Sequence, residues 1–473
     1  MRRLAGTARE TNICLYYRFN LLHMRPVKLL PLLLFTALLL PVTALCRQLS
    51  SSGNQQQPAM ALLAKMDQLA VKQAPQVIAW RRDIHQHPEL GNREFRTAEK
   101  IAAHLRSLGI EVKIGVGKTG VIGLLKGGHP GLVVALRADM DALPITEINE
   151  LAFKSVVTTS YNGQTTGVMH ACGHDTHVAM LMGAAEILAA VKKDLKGSVK
   201  FIFQPCEEGP PSGEEGGAKL MVKEAALENP AVDVIFGQHI ASGTPTGTFI
   251  YRPGSVSAEN DIFRIIIKGK QSHGASPWLG VDPIVTGSQI VMALQTIVSR
   301  NMPLTSNAAV VTVGAFNAGN RENIIPEEAV LIGTVRTLDT AMRNTIYKRI
   351  NEIVDHIAAS AGATATVNIS MEDAMLVNNE QLTAEMLPTL QVLAGKEHTQ
   401  LIPAGMGAED FAYFAQKVPG FFFSTGALPP QMKASEVGHH TPGFQIDESS
   451  MVMGVKALCH LTLNYMELHS TNK

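Results

Sequence analysis

Gly131-Leu-Val-Val-Ala-Leu-Arg-Ala-Asp-Met-Asp141 holds the strongest indication of the fold. Its first six residues form a short apolar run behind a glycine, which is typical of a strand buried on both faces of a sheet. Similar runs occupy residues 199–203, 232–236 and 419–424, and helical patterns occupy residues 178–191 and 218–226. Strands that alternate with helices predict an α/β fold with a mostly parallel sheet covered on both faces.

The pattern changes near residue 255. Strand, helix, strand, strand, helix and strand follow in that order, at residues 261–267, 283–300, 308–316, 329–336, 340–359 and 363–370. This βαββαβ order is that of the ferredoxin-like unit. Because a buried strand returns at 419–424, we expect an α/β domain in two parts, residues 60–255 and 372–473, with residues 256–371 inserted between them.

The first 46 residues have the pattern of a signal segment. A basic stretch from Met24 precedes an almost wholly apolar run, Leu29 to Leu45, with a small-residue cleavage site at Val42-Thr-Ala44. Two prolines break this run, which is short beside the roughly 20 residues of a spanning helix. We therefore expect a protein exported to the periplasm or secreted, with no stable membrane span after cleavage, over a membrane-anchored one. A Ser/Gln-rich linker would occupy residues 47–59.

Composition narrows the class of function. The chain has 473 residues, more than one hydrophobic core usually supports, so two or more domains are expected. Its formal net charge of +0 argues against nucleic acid as a partner, because nucleic acid selects basic surfaces. A small anionic substrate remains compatible with that charge. The five cysteines are scattered and make a poor disulfide framework, which leaves at least one thiol for other chemistry.

Polar side chains follow three of the expected strands. Asp139 and Asp141 come after the first strand, Glu207 and Glu208 after the second, and His239 after the third. Ligands of open α/β sheets collect beyond the carboxyl ends of the strands. We therefore expect these carboxylates and this imidazole to meet at one edge of the sheet.

The segment His170-Ala-Cys-Gly-His-Asp-Thr-His177 carries metal-binding residue types. Cys172 and His174 are two positions apart, and on an extended backbone such residues face the same side. On a helix they would diverge by about 200°. Thiolate, imidazole and carboxylate together suit zinc, with other transition metals as alternatives. Cys172 by itself would more often be a small buried apolar residue.

Glu207 and Glu208 are adjacent, so on an extended chain they point to opposite sides. One can then bind metal while the other remains free as a general base. Metal-assisted hydrolysis needs this division of labour.

Taken together, these motifs resemble the M20 metallopeptidase family, in particular its N-acyl-amino-acid amidohydrolase branch of hippurate and indole-acetyl-amino-acid hydrolases. The resemblance covers about residues 75–460. It rests on Arg81-Arg-Asp-Ile-His-Gln-His-Pro-Glu-Leu90, Arg137-Ala-Asp-Met-Asp-Ala-Leu-Pro144, the Cys172 segment, Glu207-Glu208, Gly237-Gln-His239, Ser272-His-Gly-Ala275, Gly407-Ala-Glu-Asp-Phe411 and His440-Thr-Pro-Gly-Phe444.

The resemblance implies two divalent metal ions, zinc or manganese, with cobalt or nickel as further options. Cys172 would bridge the ions, His174 and His239 would complete one site, and Glu208 and His440 the other. In much of the wider family an earlier His-x-Asp supplies a ligand and an aspartate bridges. Arg137 stands at that histidine here, as in this branch, so His174 substitutes for it.

The resemblance also implies the catalytic and substrate-binding residues. Glu207 would be the base that activates water, and Asp139 would orient a ligand without binding metal itself. The inserted segment resembles the family's dimerisation or lid domain, which makes a homodimer the expected assembly. Its His273 would polarise the scissile carbonyl, often in the partner subunit's site. Asn323 and Arg336 would hold a substrate carboxylate.

Several alternatives stay open at this point. His439 competes with His440, Asp141 is also suited to capping a turn, and Arg336 is also suited to a structural ion pair. The leading function is hydrolysis of N-acyl amino acids by a metal-activated water. Carboxypeptidase or dipeptidase action on short peptides is the nearest alternative. A hydrolase with Cys172 as nucleophile and a non-catalytic metal-binding protein are the other candidates.

Overall fold

The computed structural model describes residues 43–470, with side chains from residue 59 onward. Residues 1–42, which hold most of the expected signal segment, lie outside the described residues. The chain divides into two units, residues 1–54 and 55–473. All that is described of the first unit is helical backbone from residue 43, and the account below concerns the second. Among the described residues, no helix combines the length and apolar character needed to cross a membrane.

The strands of the described residues are given first. In chain order they are β1 (Glu111–Val116), β2 (Gly120–Lys126), β3 (His129–Asp139), β4 (Thr158–Tyr161), β5 (Gln164–Gly167), β6 (Lys196–Gln204), β7 (Val234–Pro245), β8 (Phe249–Tyr251), β9 (Gly254–Ser257), β10 (Glu259–Lys268), β11 (Ser272–His273), β12 (Ala309–Ala318), β13 (Ile324–Ile325), β14 (Glu328–Thr337), β15 (Thr364–Asp373), β16 (Leu376–Asn378), β17 (Thr399–Leu401) and β18 (Gly420–Leu428).

The α-helices of the same residues follow. They are α1 (Thr43–Gln86), α2 (Phe95–Ser107), α3 (His174–Ala190), α4 (Gly217–Lys223), α5 (Pro283–Thr296), α6 (Thr340–Ser360), α7 (Glu380–Ala394), α8 (Ala412–Ala415) and α9 (Met451–His469).

The central sheet has eight strands in the order β1-β2-β6-β3-β7-β18-β8-β17. From β6 to β18 all neighbours are parallel, whereas β1 and β2 are added antiparallel at one side. The expected mostly parallel α/β fold is therefore confirmed. Helix α3 packs between β3 and α9 and is buried on almost every side, which explains why its sequence is apolar all round.

Residues 259–373 form a second sheet in the order β12-β14-β10-β15, with every pair antiparallel. Helices α5 and α6 cover it and share a separate hydrophobic cluster with its strands. The element sequence is βαββαβ, as the sequence predicts. Strands β9 and β16, at the two ends of this segment, pair antiparallel with each other.

Helix α1 differs from the sequence-based expectation. A linker was expected at residues 47–59, yet one helix runs from Thr43 to Gln86 and includes Pro75. Ala70 and Val77, on either side of Pro75, are both buried in the main core, so tertiary packing holds the helix across the proline.

Candidate metal centre

The carboxyl ends of the central parallel strands bring the expected polar residues together. Asp139 ends β3 opposite Gln204, the last residue of β6, and β7 carries His239 next along the sheet. Glu207 and Glu208 follow β6 directly. The segment that contains Cys172 enters α3 at the same edge, because α3 lies over β3 and β7.

Cys172 lies at the centre of the cluster. Its Sγ is 3.4 Å from His239 Nε2 and 3.3 Å from His440 Nε2, and the same His440 nitrogen is 3.1 Å from Glu208 Oε1. Among the groups of three possible metal donors whose atoms lie within 4.8 Å of one another in the described residues, two contain this thiol. They are Cys172, His174 and His239, and Cys172, Glu208 and His440. The thiol is the donor that the two groups share.

His239 presents an unprotonated nitrogen to the thiol, and His174 contributes a buried nitrogen without a hydrogen-bond partner among the described residues. His239 Nδ1 lies 2.6 Å from the carbonyl oxygen of Ile240, which can only accept, so Nδ1 carries the proton and Nε2 keeps its lone pair. Burial lowers the pKa of His239 well below its usual value, which keeps the ring neutral. His174 Nε2 is fully buried and has no hydrogen-bond partner among the described residues.

Asp141 contacts one member of each donor group. In the sequence it was considered as a residue that caps a turn. One carboxylate oxygen is 3.2 Å from His174 Nδ1, and the other accepts the backbone N–H of Glu208 at 2.9 Å. This fixes the ring of His174 with Nε2 toward the cluster. Although burial lowers it, Asp139 and Asp141 raise the pKa of His174 to about 10, so the site attracts positive charge at this nitrogen.

The two adjacent glutamates do not point to opposite sides. Glu207 Oε2 and Glu208 Oε1 both lie 3.9 Å from His174 Nε2. The expectation fails because the chain leaves β6 at Gln204 and turns at Cys206, whose φ is 58°. Both carboxylates therefore face the same cluster, from neighbouring positions.

Asp139 contacts His177 and Arg137 but makes no hydrogen bond to the donors of either group. His177 Nδ1 is 2.5 Å from Asp139, and His177 Nε2 accepts the backbone N–H of Ile240 at 2.8 Å. Both ring nitrogens of His177 are thus occupied. The ring ties the start of α3 to the strand that carries His239, and Asp139 orients it.

Glu207 lies next to a buried network of charged side chains centred on Arg137. Arg137 donates to Asp139, Glu409 and Asp410 at 2.6, 3.0 and 3.1 Å. Oxygens of Glu207, Glu409 and Asp410 come within 4.8 Å of one another. Glu409 and Asp410 carry the resemblance as a motif, but no spacing in the sequence shows that they would lie under residue 207.

The electrostatics of the cluster favour cations. Burial, followed by the charges of Glu409 and Glu208, raises the pKa of Glu207 well above its usual range. Burial and the charges of Glu208 and Glu207 raise the pKa of the Cys172 thiol. A site with excess negative charge, an unpaired buried imidazole nitrogen and mixed sulfur, nitrogen and oxygen donors fits two divalent ions.

Other histidines of the motifs lie outside the two groups. His439 Nε2 accepts the backbone N–H of Ser242 at 3.3 Å, whereas His440 reaches the thiol because its backbone turns at φ 60°. His85 is buried and bridges Asp175 and Glu147 at 2.9 and 3.2 Å. His170 is buried beside this second polar group. Its pKa falls to about 4, first because of burial.

The three candidate residues of the 256–371 segment make local contacts. His273 is exposed, and its Nδ1 accepts the N–H of Ala275 at 2.9 Å. Strand β11 pairs His273 with Ile324, which places Asn323 beside it, and Gly274 N–H donates to Asn323 O at 2.8 Å. Arg336 lies in β14 and donates to Thr334. Within the described part of the chain, no hydrogen bond or ion pair joins them to the cluster.

Fold and cluster together define a metal-dependent hydrolase of the amidohydrolase and peptidase class. The chain belongs to peptidase family M20/M25/M40, whose family model matches residues 135–464. The resemblance inferred from the motifs is thereby confirmed.

Relatives with different named activities are similar to the chain. The chain is 41% identical over 390 residues to thermostable carboxypeptidase 2 of Saccharolobus solfataricus, covering 82% of this chain and 94% of that protein. It is 38% identical over 411 residues to IAA-amino acid hydrolase ILR1-like 2 of Arabidopsis thaliana, covering 84% and 88%. The structure is similar to that of Bacillus subtilis YXEP, a dinuclear metal binding peptidase from the M20 family, with TM-score 0.68, 34% identity and coverage of 83% and 98%.

Proposed function

We propose that the protein hydrolyses the amide bond of N-acyl amino acids at a two-ion centre. The observation that carries the proposal is the pair of donor groups that share the Cys172 thiol. His174 and His239 would hold one ion, and Glu208 and His440 the other. Divalent ions held there would lower the pKa of a water molecule and polarise the substrate carbonyl. Thiolate and imidazole donors favour zinc, with manganese second.

Glu207 is the general base in this proposal. Its carboxylate faces the cluster beside Glu208 and makes no hydrogen bond that would hold it elsewhere. It takes a proton from the attacking water as the new carbon–oxygen bond forms. It returns this proton to the amine nitrogen as the carbon–nitrogen bond breaks. The products are a carboxylic acid and a free amino acid.

The variant Glu207→Gln tests this role. It should keep both ions, because neither donor group contains Glu207, and lose activity by at least about 10²-fold. Metal content by elemental analysis and turnover of N-benzoyl-L-alanine are the two measurements. Glu215→Gln, at an exposed carboxylate of the loop that follows, is the matched control and should behave as wild type. Turnover retained in Glu207→Gln would remove Glu207 as the base.

Carboxypeptidase or dipeptidase action is the second candidate, and the similarity to a thermostable carboxypeptidase favours it. A panel with one amino acid and three N-terminal groups separates the two. N-benzoyl-L-alanine, N-acetyl-L-alanine and glycyl-L-alanine, whose amine is free, should be compared at saturating zinc. Turnover of the free-amine dipeptide alone would establish the second candidate.

A homodimer completes the proposal. His273 is exposed and has no contact with its own cluster, while helix α5 of the same segment exposes Val285 and Met292, 55% and 73% accessible. We infer that two 256–371 segments pair and that His273 serves the partner's site, with Asn323 and Arg336 near the substrate carboxylate. Mixing inactive His273→Ala with inactive Glu207→Gln should restore activity, because the mixed dimer holds one complete site. No restoration on mixing, with subunit exchange verified, would contradict it.

Export is proposed on the signal pattern of the N-terminus alone. N-terminal sequencing of the mature protein and cell fractionation test it. An intact N-terminus in the cytoplasmic fraction would contradict it.

A further inference from the structure

Glu207 lies between two backbone amides that donate to buried carboxylates. The N–H of Cys206, one residue before it, donates to Glu94 Oε1 at 2.8 Å. The N–H of Glu208, one residue after it, donates to Asp141 Oδ2 at 2.9 Å. Both carboxylates belong to buried side chains. The backbone on either side of Glu207 is thus held by two separate segments, one just before α2 and one just after β3.

The position of this backbone matters because the Glu207 side chain has no close partner in the cluster. Its Oε2 is 3.9 Å from His174 Nε2, too far for a hydrogen bond. Cys206 has φ 58°, a conformation that residues other than glycine seldom adopt unless their surroundings impose it. The hydrogen bond from Cys206 to Glu94 stabilises this turn, and the turn directs Glu207 toward the cluster.

Glu94 is itself held through its second oxygen. Thr119, a buried residue immediately before β2, donates its hydroxyl to Glu94 Oε2 at 2.5 Å. Burial, followed by the charge of Asp141, raises the pKa of Glu94. Within the described part of the chain, no hydrogen bond or ion pair joins Glu94 to a member of either donor group. Its contacts therefore lead to the turn before Glu207 and not to the expected metal ligands.

We propose that Glu94 is a positioning residue for the hydrolysis, which sets the direction of the general base Glu207 through the amide of Cys206. The inference rests on the proposed function, in which Glu207 takes a proton from the attacking water. Proton transfer requires the base within hydrogen-bond reach of that water, so a small displacement of the turn lowers the rate. Asp141 also contacts the expected ligand His174, whereas Glu94 acts on the base alone.

The variant Glu94→Leu removes the acceptor of the Cys206 amide. It should lower kcat for N-benzoyl-L-alanine by about tenfold and leave KM within about twofold. Zinc content by elemental analysis should stay at the wild-type level, because Glu208 keeps its bond to Asp141. This separation of kcat from KM and from zinc content distinguishes a positioning role from a general loss of structure.

Glu89→Leu is the matched control. Glu89 lies five positions earlier and also accepts two backbone amides, those of Arg96 and Thr97 in the first turn of α2. Its removal takes away a carboxylate that holds backbone in the same segment, without a contact to the turn at Cys206. Glu89→Leu should lower Tm and leave kcat unchanged.

Conservative variants test the hydrogen bonds themselves. Glu94→Gln should keep kcat within about twofold, because its amide oxygen can accept the Cys206 N–H and its amide nitrogen can donate to the Thr119 hydroxyl. Thr119→Val, which serves if Glu94→Leu does not fold, should lower kcat by about threefold at wild-type zinc content. Thr119→Ser restores the hydroxyl and should restore kcat.

A double variant shows whether Glu94 acts through the base. Glu94→Leu should cost less than about twofold in the Glu207→Gln protein, because the side chain that it positions is already inactive there. Losses that multiply, zinc lost from Glu94→Leu, or equal kcat in Glu94→Leu and Glu89→Leu would overturn the proposal. Unchanged kcat in Thr119→Val would overturn it too. Failure of the proposed function looks different, since metal-loaded wild type would then hydrolyse no N-acyl amino acid.

Discussion

Among single residues, Asp141 is the one whose contacts differ most from its sequence context. It precedes Pro144 and is suited to capping a turn, yet it bonds one residue from each donor group, His174 and the backbone of Glu208. The two contacts come from segments 33 and 67 residues away. No local pattern links positions so far apart, so the sequence could indicate the ligands but not their support.

Asp141→Ala should therefore weaken metal binding without removing a ligand. We expect a loss of about 10–100-fold in metal affinity, the usual effect of removing a group that orients a ligating histidine. Competition with a chromogenic zinc chelator measures it. Asp194→Ala, at an exposed carboxylate remote from the cluster, is the control. Unchanged affinity in Asp141→Ala would show that His174 is held by other contacts.

His85 should make stability depend on pH. Burial lowers its pKa, but the hydrogen bonds to Asp175 and Glu147 outweigh this and raise it above 6.5. The stabilisation is then complete below the unfolded-state pKa of about 6.5 and is lost as pH rises through the folded-state value. Denaturant unfolding should show that His85→Gln destabilises more at pH 6 than at pH 9. His87→Gln, at an exposed ring two positions on, is the control for the substitution itself.

The residues with metal-binding side chains could be predicted from the sequence, whereas the orientations of those side chains could not. Cys172, His174, Glu208, His239 and His440 were named in advance, and the structure brings them within two small groups. The adjacent glutamates were oriented wrongly, because a positive φ at Cys206 is invisible in the sequence. Glu409 and Asp410 received no role for a similar reason, since only the folded chain places them beneath Glu207.

At the level of elements, Gly173 joins α3 to the sheet. Its φ of 96° favours glycine, and a Cβ there would lie 2.2 Å from Ile240 Cγ2 on β7, next to His239. Gly173→Ala should separate helix from strand and so reduce both metal content and activity. Gly247→Ala, at φ 90° with open space around it, has the backbone strain without the clash.

Comparing Gly173→Ala with Gly247→Ala separates the effect of the clash with Ile240 from the effect of backbone strain. Both variants should lose unfolding free energy, by about 1–3 kcal/mol from backbone strain, but Gly173→Ala alone should lose bound zinc. Thermal unfolding and elemental analysis are the measurements. Equal zinc content in the two variants would show that α3 is not positioned through Gly173.

Elements with a strong apolar signal were predictable, and edge elements were not. The runs at 131–136 and 199–203 are short, mostly apolar and almost wholly buried, so their composition identifies β3 and β6. Strand β1, of mixed polarity, and the apolar strand β2 were missed because glycines at positions 115, 117, 120 and 123 interrupt the pattern. Their antiparallel addition at the side of the sheet depends on pairing, which periodicity does not report.

For the whole molecule, metal removal should affect activity and stability together. The cluster joins β6, β7, α3 and the loop that carries His440, so ions bound there stabilise the folded state by mass action. A chelator should abolish turnover and lower Tm, and zinc or manganese should restore both. Calcium, which prefers oxygen ligands alone, is the control and should restore neither. Full activity in the chelated protein would instead favour Cys172 as a nucleophile.

Because β9 pairs with β16, the residues between these two strands can be replaced by a short turn. Ser257 and Leu376 are opposite each other in that ladder, so everything between them begins and ends at nearly one point. Antiparallel partners stand about 5 Å apart, a gap that a two-residue turn closes. A shortened gene encoding that turn in place of residues 258–375 should yield a protein that retains the central sheet and both donor groups. We therefore predict that residues 258–375 can be exchanged between relatives as a single cassette.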